Sequence, residues 1–266
     1  SGPDLHCESV DLAAVAKLAP MARQLLEEEV DPRTISQVVS SEICILTRRA
    51  AQIATLDLER DGWGPAPCAF SVLVLGSAGR GESLLAADQD NAIVFEKGEP
   101  GGPEDKWFEE MATHMAEILD TVGVPYCKGG VMAKNAQWRM NVDLWHDTIR
   151  AWVRRHKPED LLNVDIFFDA VPVHGDAALG ENVWSYAFEI GHQVPEFVKL
   201  LSELARQWHA PFTLFGGFKT DEKKRVDLKK GGIMPIFTGA RVLAIKHNIR
   251  ARSEERRVGK ECRSRW

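Results

Sequence analysis

A glycine-rich turn and a pair of acids lie between two apolar runs in the stretch LVLGSAGRGESLLAADQDNAIVFE, residues 73–96. The flanking runs AFSVLVL, residues 69–75, and NAIVFE, residues 91–96, each have the length of a buried strand. Only about ten residues separate the glycines from the second strand, which is short for the helix that joins two parallel strands. A parallel strand–helix–strand unit therefore fits this spacing poorly.

Three phosphate-binding motifs compete for the turn. A P-loop needs a lysine where this chain has Glu82, whose carboxylate would repel phosphates. The dinucleotide fingerprint fits Gly76 and Gly81 with Ala78 between them, but it requires the crossover helix for which there is little room. In the third interpretation Gly76 and Ser77 end a strand and open a short helix, so that N–H groups and the serine hydroxyl hold the terminal phosphates of a nucleotide.

Asp88 and Asp90 are separated by one residue at the start of the second strand. Side chains alternate along a strand, so both carboxylates are expected on the same side. Two carboxylates that close repel each other, and a divalent cation between them removes the repulsion. An isolated Asp-x-Asp pair is more often a solvated turn, but the neighbouring glycine-serine turn favours a magnesium site beside a phosphate cradle.

The remaining pattern predicts a module of helices and strands to about Val173, with a long helix near its start, and a helical module after it. Asp31 and Pro32 have the character of a helix start, and apolar residues then recur every three or four positions to about Arg60. Two further helices are expected at residues 105–122 and 144–155, and the chain after residue 176 is expected to be a helical module.

One more strand is predicted at NVDIFFDAVPV, residues 163–173. Asp165 and Asp169 are separated by an even number of positions, so both are expected on one face of this strand, about 13 Å apart at roughly 3.3 Å per residue. Only one of them can then reach the site at Asp88 and Asp90.

Composition narrows the class of protein. The 266 residues carry a formal charge of −6 at pH 7, which argues against nucleic acid as the main partner because phosphate backbones bind basic faces. No apolar run approaches the roughly 18 to 20 residues of a membrane span, and a cytoplasmic location is expected. Five scattered cysteines have no metal-binding spacing and are expected to be reduced thiols that mostly fill the core. They are Cys7, Cys44, Cys68, Cys127 and Cys262.

The last residues, RSEERRVGKECRSRW at 252–266, differ in character from the rest of the chain. They match the translation of a common sequencing-library adapter. We therefore expect them to be a foreign scar that packs against nothing, with the natural chain interrupted near Ala251.

The string GSAGRGESLLAADQDNA, residues 76–92, resembles the active-site signature of the polymerase-β nucleotidyltransferase superfamily. It is closer still to the N-terminal domain of protein-PII uridylyltransferases and to the nucleotidyltransferases that often follow CBS domains in bacterial signalling proteins. Three later stretches also resemble the second group, and the likeness covers roughly Pro32 to Ile249. They are GGVMAKNAQW at 129–138, VDIFFDAVPVHGD at 164–176 and RVDLKKGGIMPI at 225–236.

The resemblance implies an α+β fold with a small mixed sheet of nucleotidyltransferase type, a long N-terminal helix and a helical C-terminal module. It also implies roles for individual residues. Asp88 and Asp90 are expected to bind two Mg²⁺ ions, and Gly76 and Ser77 the triphosphate. A third carboxylate is expected from a neighbouring strand, and Asp169 is the best match for both a catalytic and a metal-binding role.

Other positions are assigned less directly by the resemblance. Asp165 is the fallback for the third carboxylate. Arg80 and Glu82 are expected among the nucleotide-binding residues, although an arginine after a glycine also suits a solvated loop. Relatives often have arginine where this chain has Val171, which is a departure from the family pattern.

Two functions remain open. The first is an enzyme that transfers a nucleoside monophosphate from a nucleoside triphosphate to a protein, as in PII uridylylation, or to a small molecule. The second is a catalytically silent module that binds a nucleotide and signals to neighbouring domains, with CBS-type regulatory domains upstream. The intact Asp-x-Asp pair favours the enzyme.

Four segments are expected along the chain. Residues 1–30 are a leader or the end of an upstream region, and residues 31–175 form the nucleotidyltransferase domain with its N-terminal helix. Residues 176–251 form the helical substrate-binding module, and residues 252–266 are the scar.

Overall fold

The computed structural model describes residues 14–155, 158–206, 212–213, 217–250 and 252. Its described residues fall into two compact units. The first unit contains the residues up to Asp147 together with Ile166–Trp184, and the second contains Thr148–Asp165 together with the residues from Ser185 onward. The expected scar, apart from Arg252, lies outside the described residues.

Helices dominate the described chain, and none of those described is long and apolar enough to cross a membrane. A short 3₁₀ turn at Ala136–Trp138 and a π-helical turn at Lys229–Ile233 interrupt the regular elements. The α-helices and strands, in chain order, are α1 (Ala14–Glu27), α2 (Pro32–Arg60), β1 (Phe70–Val74), α3 (Gly76–Arg80), β2 (Asn91–Phe95), α4 (Pro103–Thr121), β3 (Arg139–Asn141), α5 (Val142–Arg155), α6 (Pro158–Phe167), β4 (Val171–Gly175), α7 (Ala177–Gln193), α8 (Pro195–Ala205) and α9 (Met234–Lys246).

The first unit contains a mixed sheet with the strand order β3-β2-β1-β4. Strand β1 is antiparallel to both β2 and β4, whereas β2 and β3 are parallel. Val72 pairs with Ile93 on one side and with His174 on the other, and the register with β4 shifts after Val72. This small sheet confirms the α+β class, and the antiparallel pairing of β1 with β2 explains why their connection needs no crossover helix.

The core of the first unit is formed by one face of α2, one face of α4 and the sheet. The long helix begins at Pro32 and ends at Arg60, as the sequence predicts. Apolar side chains on the inner faces of the two helices are buried: Ile35, Val39, Ile43, Leu46 and Ala50 from α2, and Trp107, Met111 and Met115 from α4. Burial of such apolar stripes is the main stabilising term for helices of this kind.

The strand predicted at residues 163–173 is wrong over most of its length. Helix α6 continues to Phe167, and β4 begins only at Val171. A short apolar run does not separate a buried helix from a buried strand by periodicity, and Phe167 and Phe168 are fully buried here. Asp165 and Asp169 therefore do not share a strand face.

Helix α1, Ala14–Glu27, is an element that the sequence analysis missed. It contains Pro20, a residue that weakens a helical pattern. Its inner face nevertheless buries Ala14, Leu18 and Ala22.

The second unit is built from helices, with α8 and α9 packed together. Arg241 on α9 is buried and forms an ion pair with Asp165 at the end of α6. Its guanidinium also lies over the ring of Phe237, 5.0 Å from the centroid. The Nδ1 atom of His192 lies 3.1 Å from the carbonyl oxygen of Ile245. These polar contacts fix helices that are otherwise held by apolar packing.

A buried ion pair in the first unit joins α4 to β3. Arg139 is 3% exposed, and its Nε donates to Oδ1 of Asp105 at 2.8 Å. Its Nη1 donates to the carbonyl oxygens of Ala133 at 3.0 Å and Lys134 at 2.9 Å. The other oxygen of Asp105 accepts from the N–H of Gly101 at 2.7 Å. One guanidinium thus holds the loop before β3 against the first turn of α4.

We predict that Arg139→Met lowers the free energy of unfolding by about 3–5 kcal/mol, because it leaves a buried carboxylate without its cation. The matched control is Arg60→Met, which removes an exposed arginine from its pair with Asp57 and should change stability by less than about 1 kcal/mol. Urea denaturation of both variants gives the comparison. Equal, small losses would show that the buried pair does not anchor this loop.

Candidate functional site

The turn after β1 lies directly against the carboxylate of Asp90. Gly76 has a φ of +60°, and a Cβ built on it would lie 2.6 Å from Oδ2 of Asp90. The N–H of Leu75 also donates to the carbonyl oxygen of Asp90 at 2.9 Å. A residue with a side chain would therefore meet both backbone strain and a collision at position 76. The structure thus brings together the predicted phosphate turn and the second acid of the predicted metal pair.

The two predicted metal ligands converge with a third side chain that the sequence analysis did not select. One oxygen each of Asp88 and Asp90 and the Sγ of Cys127 all lie within 4.8 Å of one another. All three residues are half-buried. Among the described residues, this is the group of acidic, histidine or cysteine side chains close enough to share an ion.

The chain around Cys127 is held in place by the residue between the two acids. Gln89 is buried, and its Nε2 donates to the carbonyl oxygens of Ala116 and Val124, each at 2.9 Å. Its N–H donates to the carbonyl oxygen of Pro125 at 2.9 Å. Gln89 therefore fixes the end of α4 and the following loop beside the two acids.

Asn91 holds the next part of the same loop. Its N–H donates to the carbonyl oxygen of Val131 at 3.1 Å, and its Oδ1 accepts from the N–H of Ala133 at 2.9 Å. Asn135 closes the loop, since its Nδ2 donates to the carbonyl oxygen of Gly130 at 2.7 Å. The position of Cys127 beside Asp90 is therefore set by hydrogen bonds on both sides of it.

The environment of Cys127 raises the pKa of its thiol to about 11. Burial is the largest cause, and the nearby charge of Asp90 adds to it. The thiol also hydrogen bonds to the Asp90 carboxylate. Without a cation, the protonated thiol is thus a neutral donor to Asp90 rather than a second source of negative charge.

A second charged cluster lies at the other end of α3. The Nε of Arg80 donates to Glu82 at 3.0 Å, and its Nη1 forms an ion pair with the carboxylate of Asp169. The side chains of Arg80 and Asp169 are 8% and 1% exposed. Burial disfavours the charged form of Arg80, but the charges of Asp169 and Glu82 outweigh it and raise its pKa. The arginine is therefore a fixed, paired cation and not a solvated loop residue.

The backbone of α3 approaches the Asp169 segment closely. A Cβ built on Gly79 would lie 2.1 Å from the carbonyl oxygen of Asp169. Asp169 precedes β4, and its carboxylate is not part of the group formed by Asp88, Asp90 and Cys127. Asp165, the fallback, is in α6 and pairs with Arg241. The Asp169 carboxylate is thus not grouped with those of Asp88 and Asp90.

Ser77 joins α3 to the long helix through a second serine. Its Oγ lies 3.3 Å from the Oγ of Ser83, whose N–H donates to the Oγ of Ser40 on α2 at 2.8 Å. The carbonyl oxygen of Ser77 accepts from the N–H of Glu82 at 2.9 Å. The loop that follows α3 is thereby held against the N-terminal part of α2, and Ser77 is half-buried next to Gly76.

Comparison with known families gives two matches. Residues 16–159 match the family described as "Putative nucleotidyltransferase DUF294", and residues 195–260 match the one described as "Putative nucleotidyltransferase substrate binding domain". No curated protein matches the chain. The first match spans more than half of the chain and includes Gly76, Asp88, Asp90 and Cys127, but it ends before Asp169. The matches confirm the nucleotidyltransferase-type resemblance; kinship with the PII or CBS-associated enzymes stays a prediction.

We predict that Gly79→Ala destabilises the protein by about 1–3 kcal/mol, because its new methyl group must displace the backbone at Asp169. Gly239→Ala in α9 is the matched control, since no atom lies within 4 Å of the Cβ it would add. That variant should be stabilised by up to about 1 kcal/mol from the loss of glycine flexibility. Thermal or urea unfolding shows whether each variant is more or less stable than the wild-type chain. A stabilised Gly79→Ala would contradict the close approach of α3 to this segment.

Proposed function

The chain belongs to the DUF294 family of putative nucleotidyltransferases, and we propose that it transfers a nucleoside monophosphate from a nucleoside triphosphate to a protein or small-molecule acceptor. The observation that carries this proposal is the placement of Asp88 and Asp90 beside the Gly76 turn. A protein acceptor of the PII type and a cytoplasmic location, where the triphosphates and Mg²⁺ are supplied, are part of the proposal.

The proposed reaction is an in-line substitution at phosphorus. An oxygen of the acceptor hydroxyl attacks the α-phosphorus and forms the new P–O bond. The bond between the α-phosphorus and the bridging oxygen breaks, and pyrophosphate leaves with the electron pair. The hydroxyl proton passes to a carboxylate of the site or to solvent. Most of the rate in such reactions comes from positioning and from stabilisation of charge.

The residues present fit a divalent metal site. Asp88 and Asp90 offer converging carboxylate oxygens, which Mg²⁺ prefers, and the Asp90 carboxylate lies directly against the Gly76 turn. Mg²⁺ bound there, expected as two ions, would lower the pKa of the acceptor hydroxyl and neutralise the leaving pyrophosphate. The N–H groups at the start of a helix lack partners within the helix, so those of Gly76 and Ser77 are suited to hold phosphate oxygens.

Arg80 and Glu82 are proposed to support the nucleotide from the far end of α3. The resemblance implies that Asp169 binds metal, but in the structure this carboxylate pairs with Arg80. We therefore assign Asp169 a positioning role, in which it holds the Arg80 guanidinium where charge develops on the phosphates. The second unit contains the whole match to a substrate binding domain, and it is proposed to bind the acceptor.

A second candidate function is a catalytically silent module that binds a nucleotide and regulates neighbouring domains, such as CBS-type domains. One observation favours it: the group around Asp88 and Asp90 has a thiol, and not a third carboxylate, as its third member. The two candidates differ in outcome, because a silent module binds nucleotide without releasing pyrophosphate.

We predict that the double variant Asp88→Asn with Asp90→Asn abolishes transfer without loss of stability, since it removes two acids that repel each other. The assay uses each of the four α-labelled nucleoside triphosphates with Mg²⁺ and a cell lysate as the source of acceptors. Asp143→Asn, an exposed acid on α5, is the control and should keep full activity. Transfer by the double variant would refute the metal assignment, and a wild-type chain that binds nucleotide but never transfers label would favour the silent module.

A further prediction separates the two roles of Asp169. If it acts by holding Arg80, then Asp169→Ala, Arg80→Ala and the double variant should each lower kcat about 100-fold or more, with little change in nucleotide affinity. The losses should not multiply, because each variant removes the same interaction. Circular dichroism checks that the variants fold. A changed Mg²⁺ requirement in Asp169→Ala alone would assign Asp169 to the metal instead.

A further inference from the structure

We propose that Cys127 is the third protein ligand of the metal site and that its sulfur gives the site a preference for thiophilic divalent cations such as Cd²⁺, Co²⁺ and Zn²⁺. This inference rests on the metal-dependent transfer proposed above and deepens it, because it names the residue that selects the cation. A site made of carboxylates alone would have no sulfur ligand and therefore no such preference for thiophilic cations.

The distances satisfy the geometric requirement for a shared ion. Protein ligands lie about 2.0–2.6 Å from a bound divalent ion, so no two of them are more than about 5 Å apart. The Sγ of Cys127 and one oxygen each of Asp88 and Asp90 meet this limit, since all lie within 4.8 Å of one another. The three side chains come from two separate segments, so their convergence is a product of the fold.

Cys127 is also presented differently from a cysteine that fills a core. Cys44 packs against the hydrophobic core from α2, whereas Cys127 belongs to a half-buried loop with glycines after it. A Cβ built on Gly129 would lie 3.6 Å from the sulfur, and Gly130 donates its N–H to the carbonyl oxygen of Cys127 at 3.1 Å with a φ of +73°. The loop turns sharply after the cysteine and leaves the sulfur accessible beside Asp90.

The chemistry of the donors predicts the selectivity. A thiol binds metal as the thiolate and releases its proton on binding. Thiolate sulfur favours Zn²⁺, Cd²⁺ and similar ions, whereas Mg²⁺ prefers oxygen and usually keeps water or substrate phosphate as its other ligands. Mg²⁺ should therefore use the two carboxylates alone, and thiophilic cations should recruit the sulfur as well.

The test is a titration of the purified full-length chain, free of metal and nucleotide, with CdCl₂, CoCl₂ and MgCl₂. Absorption spectroscopy detects the sulfur-to-metal charge-transfer band, and calorimetry gives the affinities. The variants are Cys127→Ser and Cys127→Ala, with Cys68→Ser as the control because Cys68 is also a half-buried free thiol but hydrogen bonds to Lys97. The double variant Asp88→Asn with Asp90→Asn tests whether the band requires the carboxylates.

We expect the band in the wild-type chain and in Cys68→Ser, and its loss in both Cys127 variants and in the double variant. Cd²⁺ affinity should fall at least about tenfold in Cys127→Ser, since even the outer partners of metal ligands contribute about 10- to 100-fold. Mg²⁺ affinity should not change. An unchanged band in the Cys127 variants, or no band in the wild-type chain, would overturn the inference.

These outcomes are independent of the transfer assay. If transfer depends on Asp88 and Asp90 but the band does not depend on Cys127, the inference fails and the proposed function stands. If the band depends on Cys127 but no label is transferred, the proposed function fails and the ligand assignment stands.

Discussion

The site depends on the approach of the Asp90 carboxylate to a backbone that has no side chain. A Cβ at Gly76 would lie 2.6 Å from Oδ2 of Asp90, and the left-handed φ at this position independently favours glycine. Antiparallel pairing of β1 with β2 creates this approach, because Val74 at the end of one strand lies opposite Asn91 at the start of the other. The sheet thereby brings the phosphate turn and the acids, which are more than ten positions apart in the chain, to one place.

Buried charge fixes the surroundings of this site. Arg139 ties the loop before β3 to Asp105, and Arg80 ties the end of α3 to Asp169 and Glu82. A buried ion pair adds little net free energy of folding, but a buried guanidinium without its carboxylate is strongly unfavourable. Each pair therefore keeps its two segments together because separating them would leave a charge buried without a partner. One pair therefore constrains the loop before β3 and the other constrains the segment after the Gly76 turn, and such constraints suit a reaction that relies on alignment.

Sequence pattern alone predicted the parts of the site that are local in the chain. The long helix from Pro32, the strands around residues 70–74 and 91–95, and the nearness of Asp88 to Asp90 follow from periodicity and side-chain alternation. The convergence of Cys127 with the two acids was missed because it depends on hydrogen bonds made by Gln89 and Asn91 across the fold. The strand prediction at residues 163–173 was wrong because a short apolar run suits a buried helix equally well. Helix α1 was not predicted because the proline inside it weakens the helical pattern.

In the proposed site, Asp88 and Asp90 hold a divalent cation next to a nucleotide whose phosphates lie over the Gly76–Ser77 turn. Anomalous X-ray diffraction from crystals grown with Mn²⁺ and a nucleoside triphosphate analogue that has a non-cleavable α,β bridge tests this directly. We expect a manganese peak between the two carboxylates, with phosphate oxygens within hydrogen-bonding distance of the N–H groups of the turn. A bound nucleotide with no manganese at Asp88 and Asp90, or phosphates held elsewhere on the chain, would contradict it.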